Sequence, residues 1–210
     1  MKTSLIIPCY FLDRSYVTMT SECLESLEFG RPDKVVLVDD GSPYPTLFEN
    51  CDKQVNLPEN HGYSYAVNRG LEVAKGDVII VGNNDLLFTP EWLTGLLRPL
   101  EEGYDISTIP TSDQTWVTED KITSGDKFGS LFAMKRKVYD TLGGFDEQFR
   151  GYFTDLDYRR RALDAGFKIG KNWNVLVEHE AKATYKVTDA NDKEYEQAKL
   201  IFIKKWGKLE

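Results

Sequence analysis

Apolar runs that end at proline or at polar residues recur along the first half of the chain and predict buried strands. The predicted strands cover residues 3–9, 34–38, 54–57 and 78–81. Between them, apolar residues at helical spacing predict helices over residues 15–27 and 61–74, and Pro90 begins a third helix. This alternation predicts an α/β fold with a mostly parallel sheet and helices on both faces.

The second half of the chain has shorter and more polar runs, which predict mixed or antiparallel strands. The predicted strands cover residues 105–110, 115–117, 128–134 and 175–178, and the predicted helices cover residues 135–142, 155–165 and 193–206. The last helix carries an apolar stripe of Tyr195, Ala198, Ile201, Phe202 and Trp206. For this stripe, packing on the domain, a dimer contact, and contact with a membrane or a further domain all remain open. Since nothing marks a linker, we expect a single domain over residues 1–210.

Composition and charge narrow the classes of function. The chain has 210 residues and a formal net charge of −8, which argues against nonspecific nucleic-acid binding. Cys9, Cys23 and Cys51 lack metal-ligand spacing and are interpreted as reduced residues. No segment has the length of a membrane span, and the chain begins with a strand rather than a signal peptide. We therefore expect a cytoplasmic protein without a membrane span.

The most informative segment is the strand over residues 78–81 together with the polar residues that follow it. This strand runs into Asn83, Asn84 and Asp85, which places a carboxylate at the edge of the sheet where open α/β folds bind ligands. One carboxylate suits a magnesium-like ion that takes further ligands from two phosphates. The alternative is that Asp85 only caps the helix after it.

Polar or aromatic residues also follow the first two strands. Asp40 lies in an Asp-Asp-Gly-Ser turn, and its carboxylate could accept a hydrogen bond from a nucleobase or a ribose. A turn combined with a loop cap explains the same residue equally well. Pro8 and Tyr10 end the first strand at the same edge, where the tyrosine ring could stack on a base.

The helix over residues 61–74 begins with groups suited to phosphate. Gly62, close behind Asn60, allows a ligand to approach the helix N-terminus, and Arg69 carries a permanent, forked positive charge suited to pyrophosphate. A solvent-exposed helix face is the alternative, and it is the preferred interpretation for His61.

Asp155 and His179 are candidates for proton or metal chemistry in the second half. Asp155 follows Tyr152 and Phe153 at the start of a helix, and these rings would partly desolvate a carboxylate and raise its basicity, as a general base requires. Helix capping is the alternative for Asp155. His179 could ligate a metal, contact a phosphate, or have a structural role.

Taken in order, these segments resemble the inverting, GT-A-fold glycosyltransferases of family two, and the resemblance covers nearly the whole chain. The matching segments are residues 4–10, 38–42, 60–70, 82–85, 143–147 and 154–157. The resemblance implies a Rossmann-like nucleotide-sugar-binding half over residues 1–100. It also implies a mixed acceptor-side half with a C-terminal helix over residues 101–210, and rhamnosyltransferase-like members are among the similar proteins.

The resemblance implies that Asp40 contacts the nucleobase, with Pro8 and Tyr10 lining its pocket. The donor would be a nucleotide diphosphate sugar, with UDP preferred to dTDP as the nucleotide and with either a glucose-type or a rhamnose-type sugar. The acceptor would be a hydroxyl of a glycan or of another molecule.

The resemblance also implies that Asp85 binds Mn²⁺ or Mg²⁺, that Asp155 deprotonates the acceptor, and that His179 helps to hold metal or phosphate. Two positions depart from the family pattern, because Asn83 replaces the first acid of the DxD motif and Thr154 replaces the acid before the base. The metal should therefore depend mainly on Asp85, on His179 and on the diphosphate.

Two other functions fit part of the pattern. A nucleotidyltransferase that forms nucleotide sugars would have a glycine-rich, basic loop after the first strand, where this chain has Phe-Leu-Asp-Arg over residues 11–14. A noncatalytic sugar-binding module would not need Asp40, Asp85 and Asp155 together. Metal-dependent, inverting sugar transfer is therefore the preferred function.

Overall fold

The computed structural model describes residues 1–113, 120–124, 128–180 and 189–209, without the side chains of residues 189–191. The strands are β1 (Thr3–Cys9), β2 (Lys34–Asp39), β3 (Lys53–Asn56), β4 (Val78–Gly82), β5 (Leu86–Leu87), β6 (Ile106–Thr108), β7 (Ile122–Ser124), β8 (Leu131–Lys135), β9 (Ile169–Asn172) and β10 (Glu178–His179). The helices are α1 (Arg14–Glu25), α2 (Tyr63–Val73), α3 (Trp92–Glu101), α4 (Arg136–Leu142), α5 (Thr154–Asp164) and α6 (Asp189–Trp206). The mixed α/β class predicted from the sequence is confirmed.

Eight of these strands form one central sheet in the order β3-β2-β1-β4-β8-β6-β9-β7. Strands β3, β2, β1 and β4 are parallel to one another, whereas β8 runs antiparallel to both β4 and β6. The carboxyl ends of β1, β2 and β4 therefore meet at one edge. The chain adds β2 on one side of β1 and β4 on the other, which makes this edge a topological switch point.

The central strands are buried on both faces because each contributes alternate residues to two separate cores. In β1, Leu5 and Ile7 belong to the core that includes Cys23 of α1 and Trp92 of α3. Their neighbour Ile6 belongs to the opposite core, which α2, α4 and α5 cover. This double burial explains why β1 and β4 are apolar runs in the sequence.

Helix α6 packs on the segment that leads into α5. Phe202 and Ala198 are buried with Phe149, and the side chains of Phe153 and Trp206 pack against them. For the apolar stripe of the last helix, the structure therefore shows packing against the segment before α5.

Several elements differ from the prediction. Strands β5, β7 and β9 were not predicted, the predicted strand over residues 115–117 lies outside the described residues, and the late strand is β10 rather than residues 175–178. Strand β9 has the sequence Ile-Gly-Lys-Asn, which lacks an apolar run, yet Lys171 and Asn172 are buried. Its pairing with β6 and β7 defines the strand instead.

Two further findings concern the cysteines and the helices. Cys9 and Cys23 are buried, Cys51 is half-buried, and all three are free thiols. Across the described ranges, no helix is both long enough and apolar enough to span a bilayer.

Candidate functional site

A cavity of about 540 Å³ opens at the carboxyl edge of β1, β2 and β4. The predicted site residues that line it are Pro8, Tyr10, Asp40, Asn60, Asn83, Asn84 and Asp155. Ser130, Arg150 and Glu194 also line it, and sequence analysis did not identify them. The cavity therefore brings together the strand ends of the first half and the start of α5.

The two carboxylates at the end of β2 organise the loops around the cavity. Asp39 accepts a hydrogen bond from the backbone amide of Ser42 at 2.9 Å, which forms the tight turn. Asp40 accepts from the amides of His61 at 3.0 Å and Gly62 at 2.7 Å, so it holds the loop before α2. Burial outweighs these bonds and raises the pKa of Asp40 above its usual value. A carboxylate has about four acceptor positions, so Asp40 retains capacity for a ligand.

The loop before α2 contacts the loop before α5. Arg150 donates through Nη2 to the side-chain oxygen of Asn60 at 2.8 Å and to its carbonyl at 3.2 Å. The amide of Tyr63 donates to the carbonyl of Arg150 at 2.5 Å. Gly62, which precedes Tyr63, has a φ of 97°, and a Cβ at this position would come within 2.8 Å of Arg150. Glycine is therefore required for this close approach.

Hydrogen bonds hold the residues that follow β4 in place. Asn84 is buried and donates to the hydroxyl of Thr20 at 2.8 Å. The amide of Asn83 donates to the carbonyl of Ser130 at 3.0 Å. These bonds fix the backbone that delivers Asp85, whose side chain is 2% exposed.

Asp85 and His179 are in contact next to this edge, although neither belongs to the cavity lining. The Nε2 atom of His179 lies 3.1 Å from Oδ1 of Asp85, and its Nδ1 atom lies 3.1 Å from Oδ1 of Asp113. Strand β10 brings His179 to this position because it pairs antiparallel with β5, in register with Leu86. Burial disfavours the charged ring, but the two carboxylates outweigh burial and raise the pKa of His179.

The donor set at this position fits a divalent ion that takes few protein ligands. Within the described ranges, no group of three or more His, Cys, Asp or Glu side chains could hold a metal. Asp85 supplies a carboxylate, and a magnesium-like ion commonly combines one or two protein carboxylates with substrate phosphates. His179 supplies an imidazole, which is a common ligand of divalent metals. Asp113 holds the far nitrogen of His179, which is how metal-binding histidines are usually oriented.

Asp155 reaches the cavity from the first turn of α5. Phe153, which precedes the helix, has a φ of 63°, an uncommon conformation for a residue other than glycine. Its ring packs against Tyr195 and Phe202 of α6, with centroids 5.4 and 5.3 Å away. Contact with α6 therefore holds the strained residue at the start of α5.

Arg69 makes its contacts outside the cavity lining. Its guanidinium is 2.9 Å from Glu72 and 3.4 Å from Glu147, and it stacks over the ring of Tyr65. It is not among the residues that line the cavity. Among the described residues that line the cavity, Arg150, in the loop before α5, is the arginine.

Comparisons with known proteins identify the family. A family model described as glycosyl transferase family 2 matches residues 4–167. The chain therefore belongs to glycosyl transferase family 2. It is also 28% identical, over 83% of its length, to an uncharacterised glycosyltransferase from Synechocystis.

Two solved structures share the fold. One is a mannosyltransferase from Pyrobaculum calidifontis in complex with GDP-mannose and Mn²⁺, with a TM-score of 0.66, 18% identity, and coverage of 88% of this chain and 58% of that one. The other is S. aureus TarS 1–349 in complex with UDP-GlcNAc, with a TM-score of 0.68, 18% identity, and coverage of 97% and 66%. The GT-A fold expected from the sequence is confirmed by these neighbours.

The chain spans only part of its relatives, since it covers 65% of the Synechocystis protein. The family model and the shared fold establish the family and the fold of this chain.

Proposed function

We propose that the protein is a metal-dependent, inverting glycosyltransferase that moves a sugar from a nucleotide diphosphate donor to a hydroxyl of a glycan or another acceptor. The observation that carries this proposal is a single cavity lined by Asp40 and Asn83 on one side and by Asp155 on the other. A donor bound at the strand ends would present its sugar to a carboxylate on α5.

The nucleotide half of the donor fits the wall formed by β1 and β2. Pro8 and Tyr10 offer an apolar surface for a base, and Asp40 offers a carboxylate with spare acceptor capacity. UDP is our preferred nucleotide, and either a hexose or a rhamnose remains open as the sugar. One structural neighbour is in complex with UDP-GlcNAc and the other with GDP-mannose.

Asp85 and His179 would hold the metal, Mn²⁺ or Mg²⁺. When bound, the ion neutralises the charge that builds up on the departing diphosphate. The Mn²⁺ present with the mannosyltransferase supports this choice of ion.

Asp155 supplies the proton chemistry. Its carboxylate accepts the proton of the acceptor hydroxyl while the acceptor oxygen forms a bond to the anomeric carbon. The bond from that carbon to the diphosphate oxygen breaks, and its electron pair leaves with the diphosphate. Attack from the face opposite the leaving group inverts the anomeric carbon.

The location proposed for this reaction is the cytoplasm. The three free cysteines support a reducing compartment.

The test is Asp155→Asn, which keeps the size of the side chain and removes the base. The wild type is first assayed with a panel of nucleotide sugars, with and without manganese, to find a donor that it hydrolyses or transfers. We expect the variant to lose about 10²- to 10⁴-fold in transfer rate, the usual contribution of a general base. Donor binding, measured by calorimetry, should stay within about twofold of the wild type because the base acts on the acceptor.

Asp164→Asn is the matched control, since Asp164 is on the same helix and its side chain is 55% exposed. Transfer by Asp155→Asn at the wild-type rate would refute the assignment of the base. A wild type that binds the donor but never turns it over with any acceptor would favour the noncatalytic sugar-binding module.

A further inference from the structure

The charges around the cavity are unevenly distributed. Asp40, Asp155 and Glu194 contribute carboxylates, whereas Arg150 contributes the positive side chain among the described residues that line the cavity. A nucleotide diphosphate carries two or more negative charges at neutral pH, so it needs positive partners in addition to a metal ion. Arg150 is the protein group placed to provide one.

The Arg150 side chain is held in position by the loop before α2. Its Nη2 atom donates to both oxygens of Asn60, at 2.8 and 3.2 Å. A guanidinium has five N–H donors in a rigid fork, and Nη2 supplies the two bonds recorded within the described part of the chain. The fork therefore has donors beyond those that bind Asn60.

The backbone of Arg150 also makes a hydrogen bond to the start of α2. Its carbonyl accepts from the amide of Tyr63, the first residue of α2, and Gly62 leaves the space that this contact needs. Asp40 in turn holds the amide of Gly62 at 2.7 Å. Arg150 therefore lies beside the N-terminus of an 11-residue helix, where the aligned peptide dipoles also favour an anion.

Arg150 also connects the two sides of the cavity. It belongs to the segment that leads into α5 and Asp155, yet its hydrogen bonds go to Asn60, 90 residues earlier in the chain. A ligand that binds the guanidinium would therefore sit between the strand-end wall and the start of α5. In the reaction proposed above, the diphosphate of the donor would lie between these two walls, because it links the nucleoside to the sugar.

We propose that Arg150 binds the diphosphate of the donor and sets the preference of this site for nucleotide diphosphates over uncharged nucleosides. This inference rests on the proposed function. The alternative is that Arg150 only ties the two loops together, in which case its loss would weaken all ligands alike or would affect stability alone.

Arg150→Gln tests the inference because it keeps a hydrogen-bonding side chain and removes the charge. Binding of UDP, GDP and dTDP, and of their nucleosides, is measured by titration calorimetry with and without manganese. We expect Arg150→Gln to weaken binding of the preferred diphosphate by about 10- to 100-fold, the usual effect of losing a hydrogen bond to a charged group. Binding of the matching nucleoside should change by less than about twofold, because the nucleoside lacks the anion.

Two further variants separate charge from geometry and from folding. Arg150→Lys keeps the charge but loses the fork, so its affinity for the diphosphate should lie between those of the wild type and Arg150→Gln. Arg31→Gln is the matched control, because Arg31 also donates to a backbone carbonyl and a side-chain oxygen, at 3.0 and 3.1 Å, and is not part of the cavity lining. It should bind every ligand as the wild type does.

The outcomes distinguish this inference from the proposed function. Diphosphate binding that is unchanged in Arg150→Gln, or equal losses for diphosphate and nucleoside, would overturn the role of Arg150 while leaving the glycosyltransferase proposal in place. A wild type that binds none of UDP, GDP and dTDP, even with manganese, would overturn both.

Discussion

One buried carboxylate joins α5 to α6, and its removal gives a sharp test of the structure. Asp157 is fully buried, with Oδ1 accepting from Trp206 Nε1 at 2.9 Å and lying 2.7 Å from Lys205 Nζ. Its Oδ2 atom accepts from Arg161 Nε at 3.0 Å. Asp157 thus binds two residues of α6 and one of its own helix.

Asp157→Ala would leave these three donors without their shared acceptor. Breaking a buried ion pair by removing one partner costs about 3 to 5 kcal/mol. The side chains of Lys205 and Arg161 are 30% and 20% exposed, so water can solvate part of the released charge. We therefore expect a loss of about 3 kcal/mol in the free energy of unfolding, at the lower end of that range.

Urea denaturation followed by tryptophan fluorescence measures this loss, with the slope on urea checked for constancy. Asp164→Ala is the matched control, because Asp164 pairs with Arg160 at 3.4 Å on the exposed face of the same helix. It should cost about 0.5 kcal/mol or less, as surface pairs do. Trp206→Phe removes one donor and keeps an aromatic ring, so it should cost about 1.5 kcal/mol.

A loss below about 1 kcal/mol for Asp157→Ala, close to that of Asp164→Ala, would refute the reasoning. It would mean that α6 does not depend on Asp157 for its position, and that the contacts of Phe153 with α6 hold the start of α5 by themselves.

Two further predictions concern carboxylates outside the cavity. Asp113→Asn should weaken Mn²⁺ binding, followed by electron paramagnetic resonance without donor, by about 10- to 100-fold, because Asp113 orients His179. The exposed Asp120→Asn should leave that affinity unchanged, and equal affinities in both variants would contradict the orienting role. Burial alone would raise the pKa of Asp105, but Lys137 and the amide of Lys168 outweigh it and lower the pKa. The stabilisation from Asp105 is therefore present above its ordinary pKa of about 4 and is lost as the pH falls through the lower folded value. Asp105→Asn should flatten the pH dependence of the unfolding free energy below about pH 4, and an unchanged dependence would count against this ion pair.

The sequence alone determined the central strands and the edge at which the cavity lies. Strands β1, β2 and β4 are double-sided apolar runs that end in polar residues, so their identity and their ends are local properties of the chain. Parallel pairing then puts Asp40 and Asn83 at one edge. The same local signals located Asp155 at the start of its helix.

Only the tertiary structure decided which charged groups face the cavity. Arg69 and Arg150 are equally basic in the sequence, yet Arg69 pairs with Glu72 and Glu147 while Arg150 lines the cavity. No local sequence pattern indicates which arginine lines the cavity, because that depends on contacts between residues far apart in the chain.

The same reason explains why Asp113 and strand β9 were not identified in the sequence. Asp113 gains its role from His179, and His179 reaches Asp85 across 94 residues. The polar strand β9 is ordered by β6 and β7 on either side rather than by its own residues. Periodicity reports the burial of one element at a time, whereas the position of a charge or of a polar strand depends on the partners that folding brings beside it.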